Sequence, residues 1–353
     1  MQFFGDALVG DDFGGLVDEN ELDSISRFAD SISSLAVRAH VLEFRLGPEF
    51  SGVDYQVCLM DEEKTLNSIR QYRREEPFRD LHGSRVWKFF EKWAEGGSSM
   101  RRHLPMLWLE YDRPNGVMSS VPGVFVSPKM SDDGEPINAL CQALEVLYSR
   151  DDAALKRKII SHVISALPMG ARIKHLGAMP SRHANFMRLA IEGFVDSPLS
   201  LLSNLDWRGN CDFVARLLAR VQERTGMVPT LVDFDYRGEI EDNLGLEFFL
   251  VGDQVPDDKG RALIAFLQEQ GWCTPRKAKA LNSLLEWRIT APKDRSVTAL
   301  WSKLYHVKIV LKQTRGDFIA LPDVECKAYW GVCAGPGPRM ISGLQAAMSG
   351  RKR

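Results

Sequence analysis

The chain has 353 residues, 44% of them hydrophobic and 26% charged, with a net charge of −2. These values are those of an ordinary globular protein and exclude a disordered, collagen-like or coiled-coil chain; the lack of a basic excess argues against a duplex nucleic-acid binder. No low-complexity linker divides the sequence, so we read it as a single α+β domain over residues 1–353 with an ordered core of about 18–334, its weakest boundary at 195–209.

A helix is expected from Asp18, where Leu22, Ile25, Phe28, Ala29, Ile32 and Ala36 form one apolar stripe. Two alternating runs follow, 41–46 and 53–59, broken by Gly47-Pro48 and Ser51-Gly52, which reads as a β-hairpin. The unit then recurs. Val86, Phe89, Phe90 and Trp93 mark a helix before strands 106–112 and 121–127, and two helices in 137–167 precede strands 172–179 and 186–192. Phe213, Val214, Leu217, Leu218 and Val221 mark a helix before strands 230–236 and 244–250. Helices at 259–270 and 275–288, the second capped by Thr274 with Pro275 at its first position, lead to strands 305–312 and 324–330. Gly335–Pro338 reads as a turn closing the sheet before a short helix, and Arg351–Arg353 as a solvated end.

Each strand separates an apolar from a polar face. Leu42, Phe44 and Leu46 alternate with Glu43 and Arg45; Leu107, Leu109 and Tyr111 with Trp108, Glu110 and Asp112; Val232, Phe234 and Tyr236 with Asp233 and Asp235; Val307, Ile309 and Leu311 with His306, Lys308 and Lys312. Helices therefore cover one face of an antiparallel sheet. Either the sheet is open and its polar face meets water, or ten strands close into a barrel with a polar lumen and no exposed edges.

The six cysteines form no C-x-x-C pair and read as reduced thiols of a cytoplasmic protein. The N-terminus has no basic stretch followed by an apolar core, so no signal peptide is expected, and no apolar run reaches the ~20 residues of a membrane span. No P-loop, H-E-x-x-H or G-x-S-x-G occurs, and the paired aspartates lack the further acid of a helical terpene synthase. His175 and His306 read as structural, because neither has a second His at metal-ligand spacing, and Arg182 and Arg188 as exposed residues flanking the third hairpin.

Five helix-plus-hairpin units with polar inner faces, over about 18–330, resemble the ABBA, or PT-barrel, prenyltransferases; the nearest local match is Lys327-Ala328-Tyr329 on the last strand. In that family such Lys-x-Tyr pairs line the lumen and hold the diphosphate of an allylic donor. The resemblance therefore implies donor binding by Lys308, Lys312, Lys327 and Tyr329, joined by Arg45 if the last hairpin meets the first. Trp108 and Phe125 would cover the allylic cation, and Glu110 would take the proton of an aromatic or peptide acceptor. The chain departs from the family in placing Asp112, Asp233, Asp235 and Glu247 on the inner faces. These acids would repel a diphosphate, unless Mg²⁺ bridged them to it, or would bind a cationic or amide-bearing acceptor. Asp233 and Asp235 must share a proton or gain a cation, with Arg237 a candidate partner. The competing reading is a non-catalytic accessory protein that binds a peptide or partner protein through an open polar face or a sheet edge. RNA binding by a sheet surface is disfavoured by the acidic strand faces.

Overall fold

A computed structural model describes residues 3–8, 13–48, 52–72, 81–129, 135–180, 187–194, 197–237, 239–250, 257–291, 299–313 and 322–334. The expected Gly335–Pro338 turn, the basic end and Arg182 lie outside the described residues.

The hairpins come in chain order as β1 (Ala39–Arg45) with β2 (Val53–Met60), β3 (Met106–Tyr111) with β4 (Gly123–Ser127), β5 (Arg172–Ala178) with β6 (Met187–Glu192), and β7 (Leu231–Tyr236) with β8 (Leu244–Phe249). A short β9 (Arg288–Thr290) precedes the long last pair, β10 (Leu300–Lys312) and β11 (Asp323–Ala334). Each strand pairs antiparallel with the next, β8 skips β9 to pair with β10, and β11 returns to β1 from Ala39↔Cys333 to Arg45↔Lys327. The sheet is therefore a closed ten-stranded antiparallel barrel with β9 appended to β10. Closure, which the alternation left open against a flat sheet, leaves no long edge exposed.

The helices are α1 (Phe3–Leu8), α2 (Glu19–Ser31), α3 (Glu63–Tyr72), α4 (Leu81–Ala94), α5 (Ser99–His103), α6 (Glu135–Leu147), α7 (Arg150–Ala166), α8 (Leu199–Asn204), α9 (Cys211–Thr225), α10 (Asp257–Glu269) and α11 (Pro275–Ser283). Their ends follow local chemistry. Asp18 accepts from Glu21 N at 2.8 Å to start α2, and Thr274 Oγ1 accepts from Lys277 N at 3.3 Å to start α11. Gly226, at φ 64°, ends α9 in the left-handed conformation that glycine adopts without a Cβ clash. The helices pack their apolar stripes on the outer face of the barrel, where Leu42, Phe44, Tyr55, Leu109 and Val307 are fully buried. Among the described residues no helix is long and apolar enough to cross a membrane. All six cysteines are free, with Cys58, Cys273, Cys326 and Cys333 buried.

Candidate active site in the barrel lumen

The alternating faces now have a place: one set packs under the helices and the other fills the lumen. Trp108 stands opposite Phe125, His306 opposite both Phe249 and Tyr329, and Lys308 opposite both Glu247 and Lys327. A central cavity of about 130 Å³ is walled by Trp108, Phe125, Phe249, Tyr305, His306 and Tyr329, with Glu110, Asp233 and Glu247 reaching into it. A second, more polar cavity of about 120 Å³ lies toward one barrel end, lined by Asp235, Lys312, Glu325 and Lys327. Arg188, Asp233 and Lys308 line both and form the partition between them.

Small residues and bulges shape the aromatic wall. A Cβ on Gly177 would collide with the Phe125 ring, and one on Gly331 would lie 2.5 Å from Tyr305 Cε2, so both rings lie flat against glycine. The β10–β11 register shifts between Leu304 and His306, and Tyr305 and His306 therefore both face the lumen. His306 stacks between Phe249 and Tyr329, with ring centroids at 4.7 and 3.9 Å. Burial keeps its pKa down at about 3, so the imidazole is neutral. His175 is likewise held well below its ordinary range by burial, and its Nδ1 lies 2.7 Å from Ser127 Oγ.

The charged groups form a paired network. Lys308 Nζ lies 2.8 Å from Asp233 Oδ1 and 3.4 Å from Glu247 Oε1, and Lys327 Nζ lies 2.6 Å from Glu43 Oε1. Arg188 donates to both oxygens of Asp235 at 2.8 and 3.0 Å. Arg45 lies between Asp54 (3.2 Å) and Glu325 (3.1 Å), and Lys312 also pairs with Glu325. Burial would raise Glu43, but the charge and hydrogen bond of Lys327, with help from Tyr329, hold it below the usual carboxylate range. Glu247 goes the other way: burial and Asp233 outweigh Lys308 and push it up to about 7. Asp54 is pushed up to about 7 by burial and by Glu43, against Arg45 and Lys327.

Several expectations change in this geometry. Arg188 points into the lumen, its side chain 18% exposed, and is not an exposed flanking residue, because it alternates with outward Met187 and Leu189. Asp233 and Asp235 do gain cations, but these are Lys308 and Arg188; Arg237 sits 3.9 Å from Glu241. Asp112 lies past the end of β3 and lines neither cavity. Lys312 and Lys327 line the polar cavity, while Arg45 lines neither and stands beside them through Glu325. Among the described residues no three His, Cys, Asp or Glu side chains converge on a point that could hold a metal ion; Asp233 and Asp235 are instead paired with Lys308 and Arg188. Gln56, Phe249 and Tyr305 join the lumen without having been singled out.

No protein-family model and no curated protein matches this chain. Among solved structures it is similar to NotF in complex with brevianamide F and DMSPP, at 11% identity over 93% of this chain and 91% of that one, with a TM-score of 0.52. A structure of the NotF prenyltransferase aligns at 10% identity over 83% of this chain and 80% of that one, with a TM-score of 0.48. The fold is the PT barrel. Its lumen here combines an aromatic chamber with a charged one, and Arg188, Asp233 and Lys308 stand where any molecule occupying both would have to pass.

Proposed function

We propose that this PT barrel is a prenyltransferase-like enzyme that moves an allylic group from a diphosphate donor to a nucleophilic aromatic or peptide side chain inside the lumen. The observation that carries it is the adjoining of an aromatic-walled cavity and a layer of cations, with Lys308 buried among them, within a closed barrel. Supporting it, the PT-barrel neighbour was crystallised with brevianamide F and DMSPP. A closed strand ring around an internal cavity also disfavours the accessory-protein alternative, which called for an open polar face or an exposed edge.

Arg188, Lys308, Lys327 and the Tyr329 hydroxyl take the diphosphate, with Lys312 and Arg45 toward the barrel end. The allylic C–O bond breaks and its electron pair leaves with the diphosphate oxygen. The faces of Trp108, Phe125 and Tyr305 stabilise the allylic cation and exclude water. The acceptor's nucleophilic atom closes on the cation, and its proton passes to the Glu110 carboxylate. The donor's charge is met directly by these cations.

The test is calorimetry with dimethylallyl and geranyl thiolodiphosphates, with and without Mg²⁺, on the wild type and on Glu43→Gln/Lys327→Gln. That double variant exchanges the buried ion pair for an amide pair, so neither partner is left as an uncompensated buried charge. Saturable binding independent of Mg²⁺ and weakened roughly tenfold or more in the variant is expected. A wild type that binds neither compound in either condition would end the transferase reading.

A further inference from the structure

Each cation that would grip the diphosphate already has a carboxylate in its grip. From β7 and β8, Asp233 and Glu247 face Lys308; from β1, Glu43 faces Lys327. Arg188 on β6 is held by Asp235 and lies 3.5 Å from Asp233, and it also feels the charge of Glu110 on β3. Toward the barrel end, Asp54 of β2 and Glu325 of β11 occupy Arg45, and Glu325 also occupies Lys312. Carboxylates thus outnumber cations around the partition. They are borne on the strands of a closed barrel, with Glu43, Asp54, Glu110 and Asp233 buried. A diphosphate placed beside them would face several buried negative charges at short range, where repulsion is weakly screened.

We infer that an anionic donor enters this lumen together with protons: as its phosphate oxygens take Lys308 and Lys327, the carboxylates of Glu247, Glu43 and Asp54 around them are neutralised by proton binding. This deepens the transferase reading above and rests on it for the identity of the ligand. The network is poised for such an exchange. Burial already pushes Glu247 and Asp54 up to about 7, and loss of a cation or arrival of an anion moves both further upward. Glu43 is held down mainly because Lys327 opposes its burial, with help from Tyr329 and Lys308, and that hold weakens if the donor takes Lys327 and Lys308. His306, neutral and 3.6 Å from Glu247, adds no positive charge of its own.

The experiment is titration calorimetry of the full chain with dimethylallyl thiolodiphosphate, and separately with inorganic diphosphate, in buffers of different ionisation enthalpy from pH 6 to 8.5. Net uptake of roughly one to two protons per donor near pH 8 is expected, with affinity falling about tenfold per pH unit for each proton taken up. The sign follows from the groups: near pH 6 Glu247 and Asp54 already carry their protons and uptake is small, and it grows as pH rises through 7. Glu247→Gln should take up about one proton fewer and bind the donor more tightly at pH 8, a gain that a damaged fold would not give. Saturable binding with no proton exchange and a flat affinity across this range overturns the inference and leaves the transferase reading standing. Absence of binding by both ligands, even at pH 6, removes the reading and the inference with it.

Discussion

Glu110 and Arg188 show how little of a lumen side chain's role lies in its own identity. Glu110 sits 5% exposed on β3, its Oε2 3.5 Å from the amide of Gln56, which also reaches Glu43 at the same distance. If it receives the acceptor's proton, Glu110→Gln should lower turnover by about 10²–10⁴-fold. Donor affinity should remain within a few-fold, as read by single-turnover kinetics beside a donor titration. Equal losses in both would instead make it a binding residue. Trp108, Glu110, Phe125, Lys308 and Tyr329 were legible because strict alternation turns every second residue inward. Arg188 obeys the same alternation, but a lone arginine between apolar neighbours looks like a solvated side chain until the strand is known to be interior on both faces. Tyr305 was not legible at all: a bulge turns it inward beside His306, and no periodic pattern anticipates a bulge.

The last hairpin is the element on which the lumen most depends. β10 and β11 are the longest strands and together carry His306, Lys308, Lys312, Lys327 and Tyr329. Gly331 of β11 pairs with Lys303 and Val41 and lets the Tyr305 ring lie against the backbone, where the hydroxyl reaches Cys333 Sγ at 2.9 Å. Gly331→Ala should displace that ring and destabilise the protein by about 1–3 kcal/mol. A lowered denaturant midpoint with an unchanged m-value, together with weaker donor binding, would check it; an unchanged midpoint would mean that Tyr305 has another seat. Four of the five hairpins could be read from the sequence because each has clean alternation beside a Gly- or Pro-containing break; in the third, a register shift between Ile173 and His175 blurs it. The full lengths of β10 and β11 could not, since bulge and twist blur the pattern toward residues 300–304. Helix α3 escaped for a different reason: only its Leu66 and Ile69 are buried apolar positions, too few to form a recognisable stripe.

Across the whole molecule, closure distinguishes a lumen from a wet sheet face. Ala328 is fully buried on β11 and pairs with Phe44 on β1 and Val307 on β10, so it stands inside the seam that completes the ring. Ala328→Pro removes a ladder donor and forces a fixed φ there, and should cost about 3 kcal/mol or more. Circular dichroism during urea unfolding should show a broad or early transition. A transition identical to the wild type would mean that the seam contributes little to stability. Whether the ring closes was beyond the sequence, because strand alternation is the same for an open sheet and a barrel; only tilt and register across the chain distinguish them. The seam joins the first strand of the barrel to the last. During synthesis, β1 therefore has β2 on one side but waits for its second neighbour until residues 323–334 have left the ribosome, and the unfinished sheet keeps two raw edges throughout. Such a nascent chain is a natural client for chaperones, and a message truncated just before those residues would yield a product prone to self-association.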